Sequence, residues 1–156
     1  MDRRRFIATV FGGIGLYGLS SNAALALPFS PKIKWHNDLK TAYKVGKAQD
    51  KPLLILFSAT WCTYCHKLIR ESLGDKAMVE FVQAQFVPVL LDFDKDNKIA
   101  KILEVESLPC TVVLSPQADL LLQANGFQKT AAYRDTLQSA LDKRDDMIQQ
   151  ARAVAK

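Results

Sequence analysis

The chain has 156 residues, 49% hydrophobic and 24% charged, with seven glycines, six prolines and three cysteines. That composition excludes a collagen-like or a charged disordered polymer and fits one globular domain, long enough to bury a core without disulfide or metal staples. Three Arg and one Asp of the first 26 residues account for part of the formal +5, leaving +3 for the remainder, and no basic stripe interleaved with aromatics suggests nucleic-acid binding.

The first element reads as an address. Arg3, Arg4 and Arg5 precede an uncharged stretch from Phe6 to Leu19, followed by Ser20, Ser21, Asn22 and the small-residue run Ala23, Ala24, Leu25, Ala26. A basic region, an apolar core and an A-x-A site in that order predict a signal peptide over residues 1–26, with Leu27 as the mature N-terminus in the periplasm. The apolar stretch is shorter than the roughly 20 residues of a spanning helix and carries Gly12, Gly13, Gly15 and Gly18, so a permanent anchor is disfavoured and membrane contact is expected only through this segment. Asp2-Arg3-Arg4-Arg5-Phe6-Ile7 resembles a twin-arginine export signal, with Asp2 in place of the usual Ser or Thr and Ala8 in place of the usual Lys.

Residues 27–31, with Pro28 and Pro31, read as a linker, and 32–156 as the folded domain. Lys32 to Trp35 alternates as a short strand would. Leu39, Ala42, Tyr43 and Gly46 recur at helical spacing behind a cap at Asn37 or Asp38, and the helix ends at Asp50-Lys51-Pro52. Leu53 to Phe57 is a continuous apolar run, too short for an ordinary helix, and reads as a buried central strand. A helical pattern follows from Cys62 through Leu68, Ile69 and Leu73 to Gly74, and a second from Asp75 with Met78, Val79, Phe81 and Val82. Phe86 to Phe93 is the next strand, and Asn97 to Leu103 the next helix, with Ile99, Ile102 and Leu103 on one face. Cys110 to Leu114 and Leu120 to Ala124, joined by a turn at residues 115–119, make a hairpin. After Gly126, Thr130 to about Val154 forms a long helix with polar later turns. This order implies an α/β fold: a mixed sheet with a parallel core and a C-terminal antiparallel hairpin, and helices on both faces.

The chemistry concentrates in Trp61-Cys62-Thr63-Tyr64-Cys65-His66, a C-x-x-C where a buried strand meets a helix. At the helix start, unpaired amides and the positive end of the dipole favour thiolate over thiol at Cys62. Cys65 lies about one turn on, where its sulfur can close a small ring with that of Cys62, so one thiol is activated and the other poised to resolve a mixed disulfide.

With these residues in place the chain resembles a thioredoxin-fold protein, and from Lys32 to Lys143 it is most similar to the periplasmic C-terminal domains of DsbD-type transmembrane thiol reductases. The matching elements are the Lys32-Ile33-Lys34 opening, Lys51-Pro52 before the central strand, Trp61-Cys62-x-x-Cys65, and Leu108-Pro109 before the hairpin. The resemblance implies thiol–disulfide oxidoreductase activity through Cys62 and Cys65 without a bound cofactor, acting on protein thiols and disulfides with a redox partner protein, in a monomer. It also implies a cis Pro109 packed against the disulfide, with Leu108 available to an extended substrate and Trp61 shaping the face around Cys62. Two departures stand out. Leu56 occupies the position of the buried acid of thioredoxins, with Leu90 at that of its lysine neighbour, so the usual proton acceptor for the resolving thiol is missing; His66 or a water could take that role, the alternative being a His66 simply exposed on the first turn of the helix. Thr63-Tyr64 followed by His66 is closer to periplasmic disulfide isomerases than to thioredoxin, which leaves redox direction open, the reductase direction being slightly favoured over isomerase or oxidase.

Other chemistries fit fewer residues. Cys62-x-x-Cys65-His66 matches a c-type haem attachment signal, which would also need a second axial ligand from His36, Met78 or Met147 and leaves Trp61 and Leu108-Pro109 without a role. Cys62, Cys65, His66 and Cys110 are zinc-type ligands, although a helical C-x-x-C after Trp favours redox use. A binding module with idle cysteines is the alternative from another class. Cys110 itself reads as a small buried hydrophobe.

Overall fold

Five consecutive apolar residues after Pro52 can only be satisfied where both faces of a strand are covered. In the computed structural model, which describes residues 32–155, they lie in β1 (Leu53–Ser58), and Leu53 to Phe57 are fully buried. β1 pairs in parallel with β2 (Val87–Asp92), Leu53 opposite Val87 and Ser58 opposite Asp92. On its other side it runs antiparallel to β3 (Cys110–Leu114), with Phe57 opposite Cys110, and β3 turns into β4 (Leu120–Asn125). The sheet order is β2-β1-β3-β4, the mixed sheet with a terminal hairpin that the sequence implies. The turn is held by Ser115, whose Oγ accepts the amides of Gln117 and Asp119 at 3.1 and 3.0 Å.

Alternation along β1 divides the core. Leu54 and Leu56 face the layer of α3 (Lys76–Gln85) and α5 (Thr130–Val154), with Val79, Val82, Tyr133 and Leu137. Leu53, Ile55 and Phe57 face α1 (Leu39–Gln49) and α4 (Asn97–Ile102), with Ala42 and Ala100. Local chemistry sets the helix starts. Asp38 accepts the amides of Lys40 and Thr41, and Asp75 that of Met78 at 3.0 Å. The Thr41 hydroxyl and amide hold the Asp38 carboxyl below its ordinary value. α1 packs close because Gly46 has no side chain: a Cβ there would lie 2.6 Å from Leu53 Cδ1 and 2.9 Å from the Lys51 carbonyl. α5 buries Tyr133, Leu137, Ala140 and Leu141 and leaves its later turns largely exposed, as their polarity requires.

Three expectations change. Lys32 to Trp35 is not a strand: only His36 bridges to Val89, through His36 N–H to the Pro88 carbonyl and Leu90 N–H to the His36 carbonyl, both 2.9 Å. The Lys34 amide goes to Gln83 Oε1, and the chain turns at once into the Asp38 cap, so no ladder can extend. Ile102 is 78% exposed instead of facing the core, because α4 is only six residues long and the chain leaves it through Glu104 at φ 52°. The helix after Cys62 is not uniform: α2 (Thr63–Lys67) passes into a π turn, Leu68–Ser72, closed by Leu73 N–H to the Leu68 carbonyl at 3.0 Å. The turn places Ser72 wholly inside, where its hydroxyl donates to the Gln128 carbonyl at 2.6 Å. Residues 1–26 and 27–31, the signal and linker expectations, lie outside the described residues.

Candidate active site

The site forms where β1 runs out. Ala59, Thr60 and Trp61 carry the chain from Ser58 into α2, and the Cys62 amide turns back to the Ala59 carbonyl at 3.1 Å. Cys62 is the N-cap of α2, with extended backbone, where the sequence expects the first helical residue; the helix proper starts one residue later, at Thr63. The N-cap position also favours thiolate, because an N-cap side chain is where the free amides of the first turn point. Cys62 Sγ takes the Cys65 amide at 3.2 Å.

Cys62 and Cys65 are joined in a disulfide, their Cα atoms 5.3 Å apart. Cys62 is 6% exposed and Cys65 has no exposure, so only the first of the two residues has any access to solvent. Ala59, Phe93 and Leu108 pack around the pair. The Leu108–Pro109 peptide is cis, Pro109 is buried, and its carbonyl accepts the Gly126 amide at 2.8 Å. Among the described residues no hydrogen bond engages the Leu108 amide or carbonyl. Trp61 and Tyr64 stand more than 60% exposed beside the disulfide, an unusual placement for large side chains. The Trp61 indole N–H is fixed by Asp94 Oδ2 at 2.9 Å, across a separation that sequence spacing does not reveal.

The structure brings Cys62, Cys65 and Leu108 together and leaves Trp61, next to Cys62 in the chain, exposed. The His66 ring reaches back along the chain, Nε2 lying 3.2 Å from the Ala59 carbonyl. Leu56 is opposite Leu90 in the sheet, an apolar pair at the positions where thioredoxins place the acid and its lysine neighbour. Thr111, opposite Leu56 on β3, lies with its hydroxyl 2.8 Å from that of the buried Tyr133, and sequence reasoning singled out neither. The available signal was Tyr133 at helical spacing with Leu137 and Leu141, since a buried tyrosine hydroxyl needs a partner.

The ligands of the other chemistries do not converge. Among the described residues no group of three or more His, Cys, Asp or Glu side chains is placed to hold a metal ion. Met78 is buried in the core, Met147 sits on the late turns of α5, and His36 bridges to β2. Cys110 faces the α1 and α4 layer, fully buried, and burial pushes its thiol up. It is expected to resist N-ethylmaleimide in the folded protein and to react fully once denatured; mass spectrometry showing rapid native labelling would contradict its burial.

A thioredoxin fold with a helix-capping C-x-x-C disulfide packed against Leu108, the residue before a cis proline, defines a thiol–disulfide oxidoreductase. The chain belongs to the thioredoxin-like domain family, whose model matches residues 39–141. It is 34% identical over 90 residues to "Thioredoxin-like protein slr0233" of Synechocystis sp., covering 56% of this chain and 80% of that protein. It is 26% identical over 110 residues to "Thioredoxin-related protein DsbJ" of Chlamydia pneumoniae, covering 63% of this chain and 32% of that protein, so the match spans about a third of that relative's length. The solved structure titled "DsbH Oxidoreductase" superposes with a TM-score of 0.64 at 21% identity, over 78% of this chain and 93% of that one, a likeness of fold.

Proposed function

We propose that this protein is exported to the periplasm and reduces disulfides of protein substrates, with Cys62 as the attacking and Cys65 as the resolving thiol. The observation that carries the reading is the contrast between the two sulfurs: Cys62 at the helix cap with a donated amide and slight exposure, Cys65 wholly enclosed. In the reduced protein the Cys62 thiolate attacks a substrate disulfide, forming a mixed disulfide and releasing one substrate thiolate, which takes a proton from solvent. The Cys65 thiolate then attacks Cys62 Sγ, closing the Cys62–Cys65 disulfide and releasing the second substrate thiolate. Two electrons pass to the substrate, and a redox partner protein must return two. No other cofactor enters this cycle. The exposed Trp61 and Tyr64 and the unpaired backbone of Leu108 form the docking surface for an extended substrate segment, with Pro109 fixing the loop from beneath.

Export rests on the order of basic, apolar and small residues in 1–26; among the described residues no helix is long and apolar enough to cross a membrane. The test uses protein recovered from the periplasm of an expressing bacterium. N-terminal sequencing should start at Leu27, and equilibration with glutathione should give a potential nearer thioredoxin, about −270 mV, than the oxidant end of the fold, about −120 mV. The recovered protein should also catalyse insulin reduction. A start at Met1 in the membrane fraction would overturn export, and a potential at the oxidant end would overturn the reductase direction.

A further inference from the structure

We propose that His66 is a positioning residue that clamps the loop carrying Cys62, and so sets the acidity and redox equilibrium of the attacking thiol. The inference rests on the oxidoreductase reading and assigns one of its residues a role distinct from proton transfer. A carbonyl oxygen only accepts, so the contact between Ala59 O and His66 Nε2 at 3.2 Å requires the proton on Nε2. The same carbonyl accepts the Cys62 amide at 3.1 Å, and the His66 amide donates to the Cys62 carbonyl at 3.2 Å. Ala59, Cys62 and His66 are thus closed into one hydrogen-bonded ring, with Thr60 and Trp61 inside the loop.

A second observation shows why the clamp matters. On this side the loop is not backed by packed side chains: a groove of about 500 Å³ runs along it, lined by Trp35, Asn37, Thr60, His66 and Asp92 among others. Among the described residues, Asp92 is the one carboxylate in that lining. On the opposite side Phe93 and Leu108 pack against the cysteines. Besides the bond from the Trp61 indole to Asp94, the imidazole is the side-chain tie on this loop, and it holds Ala59 on the open flank.

The clamp acts unequally in the two redox states. In the oxidised protein the bond to Cys65 already tethers Cys62, so losing the imidazole changes little. In the reduced protein that covalent tether is gone, and the aim of the Cys65 amide at the Cys62 sulfur depends on the loop. Loss of the clamp therefore disfavours the reduced, thiolate form, raising the Cys62 pKa and making the couple more reducing.

The experiment compares the wild type with His66→Leu, which cannot donate, and His66→Gln, whose amide N–H can donate to the Ala59 carbonyl. The Cys62 pKa is read from the pH dependence of iodoacetamide alkylation, followed by mass spectrometry, and the potential from glutathione equilibration. His66→Leu should raise the Cys62 pKa by about 0.5 to 1 unit and lower the potential, with the oxidised form melting near wild type; His66→Gln should recover most of the shift. Unchanged pKa and potential in His66→Leu would overturn the proposal, and so would equal destabilisation of its oxidised and reduced forms. Wild-type protein that alkylates normally but fails to reduce insulin would instead refute the reductase reading, leaving the pKa comparison intact.

Discussion

A Cys65→Ser variant is expected to accumulate a covalent complex with its substrate through Cys62, whereas Cys62→Ser should trap nothing and lose disulfide reduction to background. The asymmetry follows from access and electrostatics together. Cys62 caps α2, takes the Cys65 amide on its sulfur and retains slight exposure, so its thiolate is both stabilised and reachable. Its pKa should fall from about 8.5 into the roughly 3.5 to 7.5 range of such sites, so attack saturates at a lower pH than for a free cysteine. A serine hydroxyl in its place has no comparable anionic fraction near neutral pH. Cys65 has no exposure and can act only on a sulfur brought to it, the Sγ of Cys62. With Leu56 and Leu90 supplying no proton acceptor, resolution should be the slower step and attack should remain normal. Non-reducing gels and mass spectrometry of Cys65→Ser incubated with a disulfide-bonded protein read the complex directly. Equal trapping by both single variants, or a Cys65 more acidic than Cys62 by pH-dependent alkylation, would reverse the assigned roles.

Tyr133→Ala is expected to lower stability by about 3 to 5 kcal/mol, a large fraction of what holds a domain of this size. The ring lies on α5 within the layer formed with Leu54, Leu56 and Leu137, and its hydroxyl meets that of Thr111 at 2.8 Å. Tyr133→Phe keeps the ring and removes the partner of a buried threonine, at a cost of about 1 to 3 kcal/mol. Adding Thr111→Val should return part of that loss by removing the orphaned hydroxyl. Burial pushes the Tyr133 hydroxyl far above its ordinary value, so it stays protonated in the folded protein. The unfolded chain can ionise this group above the ordinary tyrosine value of 10.0, so its contribution is complete below that pH and declines above it. Urea unfolding of the three variants at neutral pH and near pH 11 measures both effects. A Tyr133→Phe variant as stable as wild type would mean that the hydroxyl pair contributes nothing.

The features legible in the sequence are those whose causes lie within one turn or one strand. Pro52 followed by five apolar residues has no alternative to a covered strand, and β1 is one of the two inner strands. Asp38 and Asp75 cap helices because their carboxylates reach amides two or three residues on. Cys62 and Cys65 meet because three residues make almost a full helical turn. The separation of Leu108-Pro109 from the cysteines is long, and its place was read from resemblance to a known fold, since an X-Pro bond alone permits either isomer.

Tertiary structure decided what depends on two distant segments arriving at the same point. Asp94 can hold the Trp61 indole only after β1 and β2 are aligned in parallel, with Ser58 opposite Asp92. Thr111 and Tyr133 become partners only once β3 lies beside β1 and α5 crosses that face. Lys32 to Trp35 alternates like a strand, yet pairing also needs a free edge and enough straight chain, and the Asp38 cap ends the approach after a single bridge. Even His66, one residue from Cys65, took its direction from the fold: hydrophobic periodicity assigns a side chain to a face of a helix, whereas the bond to Ala59 depends on how the strand-to-helix loop closes. Local propensity and spacing thus placed the sulfurs at the mouth of a helix, and the register of the sheet chose the side chains that surround and aim them.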